Sequence, residues 1–387
     1  MADPKCIELI NKLISFDTTS RESNLELIAF LQEYLSSLNI ESTLVHNEEG
    51  TKANLYATLG DPEIPGVMLS GHTDVVPVDG QNWDTNPFEV TQTGSKLYGR
   101  GTSDMKSFIA IALAMLPKFQ SRGLKTPIHL AFSYDEEIGC IGVRRMIDMI
   151  NTLPVKPAMA IIGEPTSMQV IVGHKGKRSY RGRVRGFEAH SSLAPTGVNS
   201  IEYAAEMIAH LKTMARRIAA EGPYDELYDV THTTVHTGTI QGGTALNIVP
   251  KDCTFDFEFR YIGDDDPDVI ESEIREYASK VLEPGMHEIN PDTGIDIECT
   301  NDMPSLDLGA DEEVVTFVKA LAGRNDHAKV AFGTEAGLFQ KRAGIPAVVC
   351  GPGDIAQAHK PNEFIEISQI EECELFMERL MDLVCEG

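Results

Sequence analysis

Apolar residues recur at helical spacing over residues 5–16 and 22–38, the period that lays one stripe of a helix against a core. Short β-rich runs follow at 43–45, 54–59 and 67–70. Helical spacing returns over 105–119, with Asp104 just ahead of it, where a carboxylate is favoured by the helix dipole. The pattern then predicts a buried strand at 128–133, a helix at 143–150 and a further strand at 159–162. Strands alternating with helices imply an α/β layer on a largely parallel sheet.

The rhythm changes near Lys175. Residues 178–187 (RSYRGRVRGF) alternate polar and apolar side chains, a long helical pattern covers 200–220, and alternating strands follow at 233–240 and 246–261. A helix at 267–281 and a strand at 294–299 complete the order β-α-β-β-α-β, that of a ferredoxin-like sandwich. After Asp302 the α/β rhythm resumes, with a helix at 310–321, strands at 329–332 and 346–350, and a closing helix at 366–385. The expected architecture is therefore α/β and discontinuous. One domain, residues 1–177 and 299–387, holds a mixed, mostly parallel sheet, and a ferredoxin-like α+β domain of residues 178–298 is inserted into it. A chain of 387 residues exceeds the size at which one hydrophobic core stops growing, which agrees with two.

Composition narrows the partners. Hydrophobic residues at 42% and charged residues at 24% are ordinary globular usage. No apolar run reaches the roughly eighteen residues of a membrane span, so no membrane partner is expected. The opening MADPKCIELINKL carries an acid at position 3 and no long apolar block, so it is not read as a secretory signal, and the cytoplasm is the expected location. Lys plus Arg number 33 against 59 Asp plus Glu, a formal charge of −26, which repels phosphate backbones and argues against nucleic acid. The seven cysteines (6, 140, 253, 299, 350, 373, 385) are odd in number and form no CxxC pair. They read as reduced, mostly buried thiols, not as a disulfide scaffold or a thiolate zinc site.

Candidate chemistry lies in five short motifs: SGHTDVVP (70–77), YGRGTSDMK (98–106), SYDEEIG (133–139), GEPT (163–166) and AHKPNE (358–363). The first four follow, or closely follow, predicted strands, and in open α/β sheets ligands bind beyond the carboxyl ends of the strands. The convergent set is His72, Asp104, Glu136, Glu137, Glu164 and His359. Two imidazoles among carboxylates suit zinc or a similar borderline metal better than magnesium. So many acids together repel one another unless a cation offsets them. Five ligands, one of them bridging, suggest two metals, and Asp104, on a Gly-rich turn at a helix start, is the natural bridge. Of the adjacent glutamates 136 and 137, one can bind metal while the other stays free as a general base. Asp74, two residues beyond His72, is placed to accept a hydrogen bond from the second ring nitrogen. Taken singly, each motif has an ordinary explanation: a capped turn, an acid in a first helical turn, a solvated charge run, a surface histidine. Their joint occurrence in this order does not.

Together these motifs resemble the M20 family of metallohydrolases, over essentially the whole chain. The resemblance implies that His72, Asp104 and Glu164 hold one zinc, and that Asp104, Glu137 and His359 hold the other, with Co2+ able to substitute. Glu136 then matches the general base acting on a metal-bridging water. Ser107 departs from the pattern, since relatives usually carry Gly after DMK, but it lies outside the ligand set. The inserted domain would be the family's lid and dimerisation domain, making a homodimer. In it His190 matches an oxyanion-stabilising histidine, and Asn247 and Arg260 match positions that contact substrate. A guanidinium pairs bidentately with the α-carboxylate of an N-acyl amino acid. Thr334 and Glu335 in GTEAG are candidate pocket residues, Glu335 facing the cationic part of the product. Within the family, SYDEEIGCIGVR (133–144), GEPTSMQVIVGHKGKRSYRGRVRG (163–186), AHSSLAPTGVNSIEYAA (189–205) and FGTEAGLFQ (332–340) are most similar to the bacterial branch that deacetylates N2-acetyl-L-ornithine in arginine biosynthesis. Other hydrolases of the family, such as succinyl-diaminopimelate desuccinylases or aminoacylases, are the alternatives, and outside enzymology a binding homologue that has lost catalysis. The retained Glu136 argues against the last.

Overall fold

Long apolar runs become the buried strands of a nine-stranded sheet. In the computed structural model, which describes residues 2–386, the sheet's continuous path runs Ser42–His46, Ala53–Leu59, Ile128–Ser133, Val67–His72, Met159–Ile162, Ala347–Val349, Ile171–His174 and Leu306–Asp307. The four central strands are parallel: Val67–His72 pairs with Ile128–Ser133 on one side and Met159–Ile162 on the other, and Ala347–Val349 extends the set. Strands flanking this centre pair antiparallel. Residues 67–72, 128–133 and 159–162 are buried throughout, as strands covered on both faces must be. The helix Lys106–Arg122 is buried nearly all round its first three turns and packs on the strand Val67–His72 and the helices Pro4–Ile14 and Ile367–Glu386.

The chain divides into two compact units. The first takes everything up to Gly173, together with Leu306–Lys329 and the chain from Thr334 onward; the second is His174–Ser305 with Val330–Gly333. The second unit follows the β-α-β-β-α-β order. Its antiparallel sheet runs Thr234–Gly242, Asp252–Tyr261, Gly176–Arg185, Gly294–Met303. Alternation along Asp252–Tyr261 sends Cys253, Phe255, Phe257, Phe259 and Tyr261 into a core shared with Tyr180, Met207 and Leu211.

Several elements depart from the sequence pattern, among them the strands Ile171–His174 and Leu306–Asp307, which it does not predict. The strand expected from residue 246 begins at Asp252, because Leu246 and its neighbours run exposed. The helix expected to end at 281 passes through a π turn at Tyr277–Leu282 into Glu283–Ile289, with Pro284, which has no N–H to give to the ladder, just beyond the π turn. One small sheet was not anticipated: Thr91–Thr93, Lys96–Tyr98 and Phe364–Glu366 pair antiparallel, with Phe364 opposite Tyr98. It sets residues 99–104 alongside residues 358–363. Of the seven cysteines, six are buried and Cys299 is exposed.

Candidate metal centre

The three parallel strands at the centre end level with one another: His72 lies opposite Ser133, and Ser70 opposite Ile162. Their apolar interiors exclude polar side chains until the strands stop. Directly beyond, the turns present His72–Asp74, Glu136–Glu137 and Glu164. The fourth parallel strand leads into the loop carrying His359, and Asp104 arrives from the start of the buried helix Lys106–Arg122. Backbone packing there is close. A Cβ on Gly163 would fall 2.0 Å from Phe108 Cγ, and one on Gly351 would fall 2.1 Å from the Gly163 carbonyl. Asp135 and His359 have φ of 56° and 63°. Non-glycine residues seldom adopt such values, and they persist where surrounding structure over-determines them.

Asp104 occupies the middle of the cluster. Its Oδ1 lies 3.0 Å from His72 Nε2, and its Oδ2 lies 3.4 Å from His359 Nε2. Glu164 Oε1 is 3.7 Å from His72 Nε2, and Glu137 Oε2 is 3.0 Å from His359 Nε2. Each oxygen of Asp104 thus faces a different histidine with its own glutamate. Ligand atoms of His72, Asp104 and Glu137 lie within 4.8 Å of one another, as do those of His72, Glu136 and Glu164. His72, Asp104 and Glu164 are buried, the two adjacent glutamates are half-buried, and His359 is exposed.

Asp74 meets the His72 ring through its backbone as well as its carboxylate. His72 Nδ1 lies 2.9 Å from the Asp74 carbonyl oxygen and 3.5 Å from its carboxylate, so the backbone is the nearer acceptor. Nδ1 donates to that carbonyl, so Nε2 is the ring atom that faces the acids. The Asp74 carboxylate has other donors to satisfy. It accepts the amide N–H groups of Glu136 (3.1 Å) and Glu137 (3.3 Å) and the Ser20 hydroxyl (2.7 Å). It ties the glutamate turn to the His72 turn.

Electrostatics follow from the crowding. Burial alone would lower the His72 pKa, but Glu164, Asp104 and Asp74 outweigh it and raise it well above the ordinary value. His359 is pushed up to about 10 by its contacts with Asp104 and Glu137. Burial resists ionisation of Asp104, yet the two histidines hold its pKa below the usual carboxylate range. Burial, reinforced by neighbouring acids, raises Glu136 to about 8 and Glu137 to about 7, and moves Glu164 well upward. Glu164 Oε1 is buried without any hydrogen-bond partner. Crowded carboxylates with imidazole nitrogens aimed among them are what a pair of divalent cations would satisfy, and the N/O donor set suits zinc-like ions.

Of the other sequence-expected residues, Thr334 and Glu335 are buried in the first unit. Both Glu335 oxygens lack a hydrogen-bond partner; burial raises its pKa to about 7, and Ser133, His72 and Asp74 also act on it. His190, Asn247 and Arg260 belong to the second unit. His190 and Asn247 are exposed, while Arg260 is half-buried with Nε 2.9 Å from Glu258 Oε1. His190 Nδ1 accepts the Ser192 amide N–H at 3.2 Å, which leaves its proton on Nε2. Glu363 and Arg100, each 1% exposed, are not among the expected site residues although both stand inside the quoted motifs. The signal was there: an acid four residues after His359, and an arginine among turn residues.

Residues 68–383 match the model of peptidase family M20/M25/M40. The acetylornithine deacetylase of Proteus mirabilis is 34% identical, over 99% of this chain and 97% of its own length. That of Photorhabdus laumondii is 33% identical over 99% and 98%. Among solved structures, a tripeptidase from Staphylococcus aureus superposes with a TM-score of 0.76 at 20% identity, covering 100% of both chains. A dinuclear metal-binding M20 peptidase from Bacillus subtilis gives 0.66 at 15% identity, covering 98% of both.

Proposed function

The chain belongs to the M20/M25/M40 peptidase family and is a hydrolase of that family, and we propose that it hydrolyses N2-acetyl-L-ornithine to L-ornithine and acetate at a pair of divalent cations. The observation that carries the cation pair is Asp104, whose two oxygens face His72 with Glu164 and His359 with Glu137. In this reading His72, Asp104 and Glu164 hold one ion, and Asp104, Glu137 and His359 the other. The ions are Zn2+, with Co2+ able to substitute. What supports the substrate is the full-length similarity to acetylornithine deacetylases.

When bound, such ions supply Lewis acidity and lower the pKa of coordinated water from 15.7 to about 7. The rest falls to side chains. Glu136 is not needed as a ligand, so its carboxylate is left to take a proton and give it back. It accepts the proton of the water attacking the acetyl carbonyl, then returns it to the nitrogen as the C–N bond breaks; the second water proton leaves the new carboxyl group, and the products are acetate and the amine. Asp74 holds the Glu136 amide and keeps this carboxylate in place. His190, with its proton on Nε2, donates to the tetrahedral oxyanion, an interaction whose loss typically costs about 10²–10³ in rate. Arg260 and Asn247 receive the α-carboxylate, Thr334 lines the acyl-amino acid pocket, and Glu335 faces the side-chain ammonium. The protein acts in the cytoplasm, in arginine biosynthesis, as a homodimer formed through the domain that begins near residue 178 and ends near 298.

The test is a metal-reconstituted activity screen with N2-acetyl-L-ornithine, N-succinyl-diaminopimelate and N-acetylmethionine side by side. The highest kcat/KM is expected for acetylornithine. A preference for either of the others would replace the substrate assignment while leaving the metal centre intact.

A further inference from the structure

Glu363 is a buried carboxylate that touches no histidine of the centre. Its Oε1 accepts the amide N–H groups of Gly101 (3.0 Å), Ser103 (2.8 Å) and Asp104 (3.1 Å). Its Oε2 pairs with Arg100 Nη1 at 2.6 Å. Arg100 continues the path: Nη2 donates to Gln81 Oε1 at 2.7 Å, and the guanidinium lies 5.2 Å from the Trp83 ring. Trp83 Nε1 donates to the same Gln81 oxygen at 3.0 Å, and Gln81 Nε2 donates to the carbonyl of His359 at 3.1 Å. An unbroken line of contacts thus runs from the Asp104 amide through Glu363, Arg100 and Gln81 to the His359 backbone. The small sheet pairing Lys96–Tyr98 with Phe364–Glu366 anchors both loops at their far ends.

We propose that Glu363, Arg100 and Gln81 are positioning residues that set the spacing of Asp104 and His359, and so the affinity of the cation these two share with Glu137. This rests on the two-cation reading above. The chemistry is selective. Three amides and a guanidinium fill the lone pairs of one carboxylate, and such charge-assisted contacts are stronger than neutral ones. A ligand held by a supporting hydrogen bond binds metal more tightly, and loss of such support typically costs about 10–100-fold in affinity. Glu363 acts on Asp104, the shared ligand. Gln81 meets the His359 backbone directly and Asp104 only through Arg100 and Glu363, so its effect falls chiefly on the ion held by His359.

The experiment uses the full chain, stripped with a chelator, and titrates Zn2+ calorimetrically and Co2+ by its visible absorption. Wild type, Gln81→Leu and Glu363→Gln are compared. Gln81 is half-buried at the loop surface, so its variant is the one that keeps the test alive if Glu363→Gln, which leaves Arg100 without its anion, does not fold. Two binding events are expected in wild type. In Gln81→Leu one of them weakens by about 10–100-fold and its Co2+ band shifts, while the other is little changed. In Glu363→Gln both weaken. A wild type with two events and a Gln81→Leu variant in which neither changes, or both fall alike, overturns this inference alone. A wild type that takes up no cation overturns the metal centre itself.

Discussion

His129 lies in the middle of the strand Ile128–Ser133, 2% exposed, far from any metal-type ligand along that strand. Its Nδ1 sits 2.9 Å from both the Tyr56 hydroxyl and the Thr58 hydroxyl, while Nε2 is buried with no partner. A proton added to this ring would place a cation in the sheet with no acid to pair with it. Burial accordingly lowers its pKa from 6.5 to about 4. At about 1.4 kcal/mol per pH unit, that displacement is worth about 3 kcal/mol. The sign follows from proton counting. Above 6.5 the ring is neutral folded and unfolded alike, and it contributes nothing. Between 6.5 and 4 the unfolded ring binds a proton that the folded ring refuses, so stability falls as the pH falls, and below 4 the loss is complete. The perturbation is His129→Asn, whose amide oxygen can take the place of Nδ1 toward the two hydroxyls without titrating. Urea unfolding of both proteins from pH 7.5 to pH 4 should show wild type losing about 3 kcal/mol relative to the variant. Acids elsewhere, the metal centre included, act on both proteins and cancel in the difference. A difference that stays constant across this range would refute the reasoning.

Three further outcomes are expected. Gly163→Ala drives a methyl to 2.0 Å from the Phe108 ring and should lower the urea midpoint by the equivalent of about 1–3 kcal/mol; an unchanged midpoint would show that the helix Lys106–Arg122 can shift. Zn2+ added at about 100 times its dissociation constant should raise stability by about 2.7 kcal/mol in a thermal melt, and His72→Ala should lose much of that increment. His190→Ala should lower kcat by about 10²–10³ with cation uptake unaltered, and a variant with normal kcat would take His190 out of the reaction.

The gathering of His72, Glu136, Glu137 and Glu164 at one sheet edge is legible because 67–72, 128–133 and 159–162 are unbroken apolar runs that stop at turns. Burial on both faces fixes such runs as parallel strands, and polar side chains surface where they end. The small sheet at 91–93, 96–98 and 364–366 was illegible for the opposite reason. Its strands are three residues each, largely polar, and one pairs across more than two hundred residues, so no local period marks it. Arg100 and Glu363 each stand in a legible motif, but that the two meet depends on this sheet and no local period shows it. Asp74 shows a subtler limit. Its proximity to His72 was readable, but whether carbonyl or carboxylate meets the ring is decided by the competing amides of Glu136 and Glu137, which a linear spacing does not contain.

The most direct measurement is acetate release by Glu136→Gln under saturating Zn2+, with bound metal assayed on the same sample. Wild-type metal content is expected, with turnover reduced by about 10²–10⁴-fold, the usual worth of a general acid–base group. Turnover near the wild-type rate in a fully loaded variant would contradict that role.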